Sequence, residues 1–313
     1  SELIKKYGYP SDRHTVQTKD GYILEMHRIP YGKDGPSENR PAVYLQHGLL
    51  CSSADWVIAG PGKEFGYILA DAGYDVWMTN VRGTKYSRKH VKLDPSKDAK
   101  KFWDFSWHEI AMNNIPKMVD YVREHTGQDK IFYIGHSQGT TVSYVMMSEN
   151  KGYNDKFRAV FSLAPIAYMG RITSPLWQLM SLFTNSVETI SNVLGMYEFL
   201  PRSDFLSQVG ETLCGDESVF QPLCTNSLFA VCGFNRKQMN ATLLPEIMGH
   251  TPAGSRNDWL SNTKDVDKLA KELGNLQGKF LSPDNKFNHV DYLFGIDAPE
   301  LLYSRVLGLM KRH

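Results

Sequence analysis

The stretch "KIFYIGHSQGTTVSYVMMSEN", residues 130–150, decides the fold. An apolar run ends at Gly135, Ser137 stands between two glycines, and an uninterrupted helix-like segment follows. As a bare pattern G-x-S-x-G is weak, because with glycine near 7% of residues it arises by chance in about one chain in ten of this length. The setting gives it weight: an apolar strand, a sharp turn and a helix are the context this motif requires. Flanking glycines permit a strained turn that exposes the serine Oγ, and the backbone N–H of the next residue, Gln138, then points to where a negative oxygen would form.

Working outward, "HTVQTKDGYILEMHRIP" reads as two extended runs joined at Asp20-Gly21, a β-hairpin signature. "AVYLQ" (42–46), "DVWMT" (75–79), "KIFYIG" (130–135) and "RAVFSLAP" (158–165) read as short buried strands. Helical patterns such as "KEFGYILADAG" and "WHEIAMNNIPKMVDYVREHTG" separate several of them. Strands alternating with helices predict βαβ units and a mainly parallel sheet. From about Ile166 to Ser255 the pattern changes to Leu, Met and aromatic residues at helical spacing, with three cysteines in nineteen residues. We expect three parts: a first core portion (1–165), a helical cap or lid insertion (166–255), and a C-terminal core portion (256–313). Two amphipathic helices, "TKDVDKLAKELGN" and "APELLYSRVLGLMKRH", close the last part.

Length and composition set limits on this reading. A chain of 313 residues with 42% hydrophobic and 22% charged residues can enclose a site within one large core. A net charge of +1 predicts no nucleic-acid partner, and acidic residues interrupt the one basic stretch, "RGTKYSRKHVKLDPSKDAKK". The longest nearly uncharged apolar stretch, "AVFSLAPIAYMG", is too short to span a bilayer. The chain starts at Ser1 without an initiator Met, so we read it as a mature form after cleavage. Four cysteines fit no metal spacing; among Cys214, Cys224 and Cys232 one local bridge is expected. The single N-x-[ST] sequon, at Asn240, would carry a glycan in the secretory pathway.

A serine hydroxyl is nearly un-ionised at neutral pH, so attack on an ester requires a base and donors for the oxyanion. Gln138 supplies one donor, and the turn after "AVYLQHG" makes Leu49 the second. His47 reads as a structural histidine bonding that loop. His136 adjoins the serine and would point away from it. On an α/β-hydrolase core the acid and then the base follow the nucleophile in sequence. Of the later histidines, His313 is terminal and His250 lies at the edge of the insertion, which leaves His289 in "KFNHVDYLFGIDAPE", after a short extended "KFL".

Several long segments match a family pattern in order: "YGYPSDRHTVQTKDGYILEMHRIPYG", "LQHGLLCSSADWV", "GHSQGTT", "NDWLSNTKDV" and "NHVDYLFGIDAPELLY". The chain resembles the acid lipases, which include the gastric and lysosomal lipases and related insect digestive lipases. The resemblance implies an α/β fold, an α/β-hydrolase core with a mainly parallel sheet and a helical cap and lid, cleaving triacylglycerols or sterol esters without a metal or other cofactor. Carried over by motif, Ser137 is the nucleophile, Asp258 in "NDWLS" orients the base, His289 is that base, and Leu49 and Gln138 are the oxyanion donors. The resemblance also implies a Cys214–Cys224 disulfide with Cys232 left over, a secreted or lysosomal location, and an acid pH optimum.

In one place the chain departs from this pattern. The orienting acid belongs on a loop at the C-terminal end of a core strand, yet before Asp258 stands "EIMGHTPAGSRN", with a proline, two glycines and no apolar run. The family carries a further segment after "HTPAG" that ends in the required strand, whereas here "HTPAGS" runs straight into "RNDWLS". Either those residues belong to the protein and are missing from this sequence, the reading we favour, or a true deletion has removed a central strand. A true deletion would favour an alternative, a lipase-fold protein that binds or stores lipid without catalysis. Asp265 and Asp297, in helix-like and tail contexts, are the weaker candidates for the acid.

Overall fold

The computed structural model describes residues 1–171, 173, 260–284 and 287–313. Among these residues seven strands form one sheet: β1 (Asp12–Gln17), β2 (Tyr22–Ile29), β3 (Ala42–Gln46), β4 (Asp75–Thr79), β5 (Lys89–His90), β6 (Ile131–His136) and β7 (Phe157–Leu163). Their spatial order is β1-β2-β4-β3-β6-β7, with β5 added beside β2. The hairpin expected at Asp20-Gly21 is present, with Val16 opposite Leu24 across an antiparallel ladder. β2 meets β4 antiparallel, and β4, β3, β6 and β7 run parallel.

Alternation along the strands builds two cores from one sheet. Val43 and Leu45 of β3 join Phe132 and Ile134 of β6 on one face, with the helix Phe65–Asp71 and the C-terminal segment. Ala42 and Tyr44 join Ile131 and Tyr133 on the other, against the helical stretch from Trp107 to Thr126. β3, β4 and β6 are buried throughout, as strands covered on both faces must be. Ring stacking adds specific contacts: Tyr44 on Tyr133 at 5.2 Å, and Phe65 on Tyr303 at 4.2 Å, each contributing roughly 0.5–1.5 kcal/mol beyond burial. The second pair ties the C-terminal segment to the first half of the core.

The helix Ile115–Thr126 buries Ile115, Met118, Val119 and Val122, the i, i+3, i+4, i+7 stripe of a core-facing helix. Among the described residues β7 is one edge of the sheet, and Arg158–Ser162 are only partly buried or exposed. The expected extended "KFL" forms no strand; Phe280 and Leu281 are exposed. A strand needs a paired edge to satisfy its amides, and no described strand lies beside this segment. No helix among the described residues is long and apolar enough to cross a membrane. Nearly all of the expected cap insertion lies outside the described residues.

Candidate active site

β4, β3 and β6 are parallel neighbours, so their C-terminal ends lie along one side of the sheet, the side on which open α/β sheets bind ligands. Ser137 leaves β6 with φ 53° and ψ −121° and caps the helix Gln138–Glu149. A non-glycine residue at positive φ costs on the order of 1–3 kcal/mol and persists only where its surroundings hold it. Here the Ser137 N–H donates to Leu163 O at 3.0 Å, and its carbonyl accepts from Thr140 N–H (2.9 Å) and Thr140 Oγ1 (2.6 Å). Ser137 is thereby clamped between β7 and the first turn of its own helix. The N–H of Gln138 belongs to that first turn, where helix geometry provides no intrahelical acceptor and the helix dipole favours negative charge.

Two glycines allow the β3 loop to approach this closely. A Cβ on Gly139 would lie 2.5 Å from Gln46 O and 2.9 Å from His47 O, both backbone atoms that cannot swing away. A Cβ on Gly48 would lie 3.0 Å from Ser137 Cβ and 3.3 Å from His136 Nδ1. The loop carrying Leu49 therefore runs beside the serine, held there by close backbone contact. Within it the Cys51 N–H donates to Gly48 O, closing a turn in which Leu50 has φ 59°.

His47 has the structural role expected. Its Nδ1–H donates to Gly48 O (2.7 Å) and its Nε2 accepts from Val81 N–H (3.3 Å), which fixes one neutral tautomer. Burial lowers its pKa to about 4. His136 does more than the sequence indicated. It is fully buried, its Nε2–H donates to the carbonyl of His289 at 3.0 Å, and the two rings lie 4.9 Å apart. The residue before the serine thus holds the loop that carries the expected base. Around His289, the Asn288 N–H donates to Asp291 Oδ2 (2.6 Å) and the Val290 N–H to Asn288 Oδ1 (3.0 Å), side-chain bonds that fix the turn leading into Asp291–Phe294. His289 itself is fully buried, and burial first, then the neighbouring His136, lowers its pKa well below the usual imidazole range.

Asp258, His250, Cys214, Cys224, Cys232 and Asn240 lie outside the described residues. Of the weaker acid candidates, Asp265 is buried and taken up by Arg171, whose Nη1 donates to Oδ1 at 2.7 Å, and Asp297 is exposed.

Sequence reasoning did not anticipate the group beneath the Leu49 loop. Asp55 is fully buried; it accepts from Ser52 N–H at 3.1 Å and from the Cys51 thiol, and burial raises its pKa to about 7. Glu64, also buried, is pushed well above its ordinary value by burial and by the negative field of Asp55. A carboxyl with a raised folded pKa contributes stability that is complete below the unfolded value near 4 and lost as pH climbs through about 7. For Asp55 this amounts to about 4 kcal/mol. His27, His47 and His136, all lowered by burial, act in the opposite sense in acid, so the test is a difference. The melting temperature of Asp55→Asn relative to the unaltered protein should rise between pH 5 and pH 8. A difference independent of pH would show Asp55 to be ionised throughout.

A family model described as alpha/beta hydrolase fold matches residues 41–246, and one described as a partial alpha/beta-hydrolase lipase region matches residues 1–60. Lipase 3 of Drosophila melanogaster is 38% identical across 100% of this chain and 92% of its own length. Human lysosomal acid lipase/cholesteryl ester hydrolase is 33% identical over 100% and 90%, and rat gastric triacylglycerol lipase 34% over 99% and 91%. The pairing with Lipase 3 spans 374 positions against 313 residues here, so the relative carries positions this chain does not. Among solved structures, a Bacillus subtilis carboxylesterase, CesB (YbfK), superposes with a TM-score of 0.55 at 11% identity, covering 100% of this chain and 95% of that one, a likeness of fold alone. Identity of a third or more, sustained from one end of the chain to the other against several named lipases, exceeds what a shared fold produces, and this chain belongs to the acid lipase family of the α/β-hydrolases.

Proposed function

We propose that this chain is a serine hydrolase of lipid carboxylic esters, triacylglycerols or sterol esters, working through an acyl-enzyme. The observation that carries this reading is the strained elbow: Ser137 at positive φ, at the head of a helix and within reach of the Gly48 loop. Ser137 Oγ attacks the ester carbonyl and passes its proton to His289. The oxyanion takes hydrogen bonds from the Leu49 and Gln138 N–H groups. His289 then protonates the departing alcohol, and a water molecule deprotonated by the same imidazole cleaves the acyl-enzyme to release the acid. Asp258 holds the imidazole tautomer. The apolar residues of 166–255 would line the acyl site or cover it, Cys214–Cys224 would brace that region, and Asn240 would carry a glycan in a secreted or lysosomal protein.

The substrate class is tested by comparing emulsified long-chain triacylglycerol and a sterol ester with a short soluble p-nitrophenyl ester. Faster hydrolysis of at least one long-chain lipid ester is expected. If the short ester outruns both, the enzyme is a small-ester esterase on the same fold.

A further inference from the structure

A second serine–histidine–carboxylate chain lies away from Ser137. His27 of β2 places Nδ1 2.7 Å from Ser53 Oγ and Nε2 3.0 Å from Glu25 Oε1. Ser53 is 1% exposed and His27 4%, so no substrate approaches this serine, and the constellation is not a second catalytic centre. With Glu25 accepting the Nε2–H, Nδ1 is left to accept from the Ser53 hydroxyl. Tyr86 packs edge-on against the imidazole at 4.9 Å. The circuit closes through Asn80, whose Oδ1 accepts from Ser53 N–H (2.9 Å) while its Nδ2 donates to Glu25 O (3.0 Å). Ser53 is therefore held at both its amide and its hydroxyl.

What Ser53 anchors is the turn carrying Leu49. In that turn Leu50 sits at φ 59°, a strained conformation for a branched side chain, and Leu49 is 36% exposed, so its side chain gives little grip. Its upstream end is fixed by His47 on Val81. Downstream, the capping box of Ser52 with Asp55 closes the short 3-10 turn Ser53–Trp56. Ser53 links this turn to the sheet through Asn80 and His27.

We infer that His27, acting through Ser53, is a positioning residue for the oxyanion loop, an inference that rests on reading Leu49 N–H as an oxyanion donor to Ser137. Removing an oxyanion donor outright costs about 10²–10³ in kcat; a donor left in place but poorly aimed should cost less, about tenfold. In Ser53→Ala and His27→Ala, kcat for a soluble p-nitrophenyl ester should fall about tenfold with KM within twofold. Inhibition by a trifluoromethyl ketone, which mimics the tetrahedral oxyanion, should weaken in parallel, while inhibition by the product fatty acid stays constant. His27→Asn, whose Oδ1 stands where Nδ1 accepts from the Ser53 hydroxyl, should recover most of the loss. If His27→Ala does not fold, Ser53→Ala, which deletes one hydroxyl, decides the matter. Unchanged kcat and trifluoromethyl ketone affinity in a variant with a lowered melting temperature would reduce the network to a fold-stabilising one and overturn the inference alone. Absence of fluorophosphonate labelling at Ser137 in the unaltered enzyme would overturn the site reading and this inference with it.

Discussion

Alanine at Ser137 is expected to lower ester hydrolysis by on the order of 10⁴–10⁶-fold and to abolish labelling by a fluorophosphonate, with the fold unchanged. The size of the loss follows from the chemistry: without Oγ there is no acyl-enzyme, and what remains is whatever binding and the oxyanion donors provide to direct attack by water. The fold should survive because the bonds that clamp the elbow use only backbone atoms of Ser137: its N–H to Leu163 O, and its carbonyl accepting from the N–H and hydroxyl of Thr140. Glycine at the same position separates strain from chemistry. It is equally unable to form an ester, yet it relieves φ 53°, so Ser137→Gly should be more stable than Ser137→Ala by about 1 kcal/mol. Retained hydrolysis in either variant would remove Ser137 from the mechanism. Equal stability of the two would show that the elbow stores no strain.

The parts legible in the sequence were those written locally. The hairpin at Asp20-Gly21, the apolar runs of β3, β4 and β6, and the glycine-flanked serine each announce themselves within a few residues, because turn chemistry and apolar periodicity act over that distance. β5 was not legible: it is two residues, Lys89 and His90, in a charged stretch, and only pairing with Tyr22 and Ile23 makes it a strand. The bracket from His136 to His289 and the Glu25–His27–Ser53 chain were equally hidden, since they join residues 153 and 26 positions apart through tertiary contact. Sequence alone marks His136 only as unsuited to be the base, and its contact with the His289 carbonyl gives it a different task. The extended run "KFL" is part of no described strand, because apolar residues in sequence form a ladder only where a paired edge lies beside them. A segment absent between "HTPAGS" and "RNDWLS" requires relatives to carry additional positions, and the pairing with Lipase 3 spans more positions than this chain has residues.

Alanine at His289 should cost as much as alanine at Ser137, on the order of 10⁴–10⁶ in kcat, and the double variant should be no worse than either single one. Nucleophile and base act as one unit, so removing the second member of a disabled pair removes nothing further. The more discriminating consequence concerns pH. A general base works only when unprotonated, and burial together with the neighbouring His136 holds His289 well below the ordinary imidazole value. The acid limb of kcat/KM for a soluble ester should therefore fall below about 6.5, and the enzyme should keep its base functional in acid where an exposed imidazole would already be charged. His136, whose pKa burial lowers to about 4, charges only toward the acid end of that range, and there its positive charge opposes protonation of His289. An acid limb at or above the ordinary imidazole value would mean that a carboxylate facing His289 outweighs its burial, and the argument from desolvation would fall.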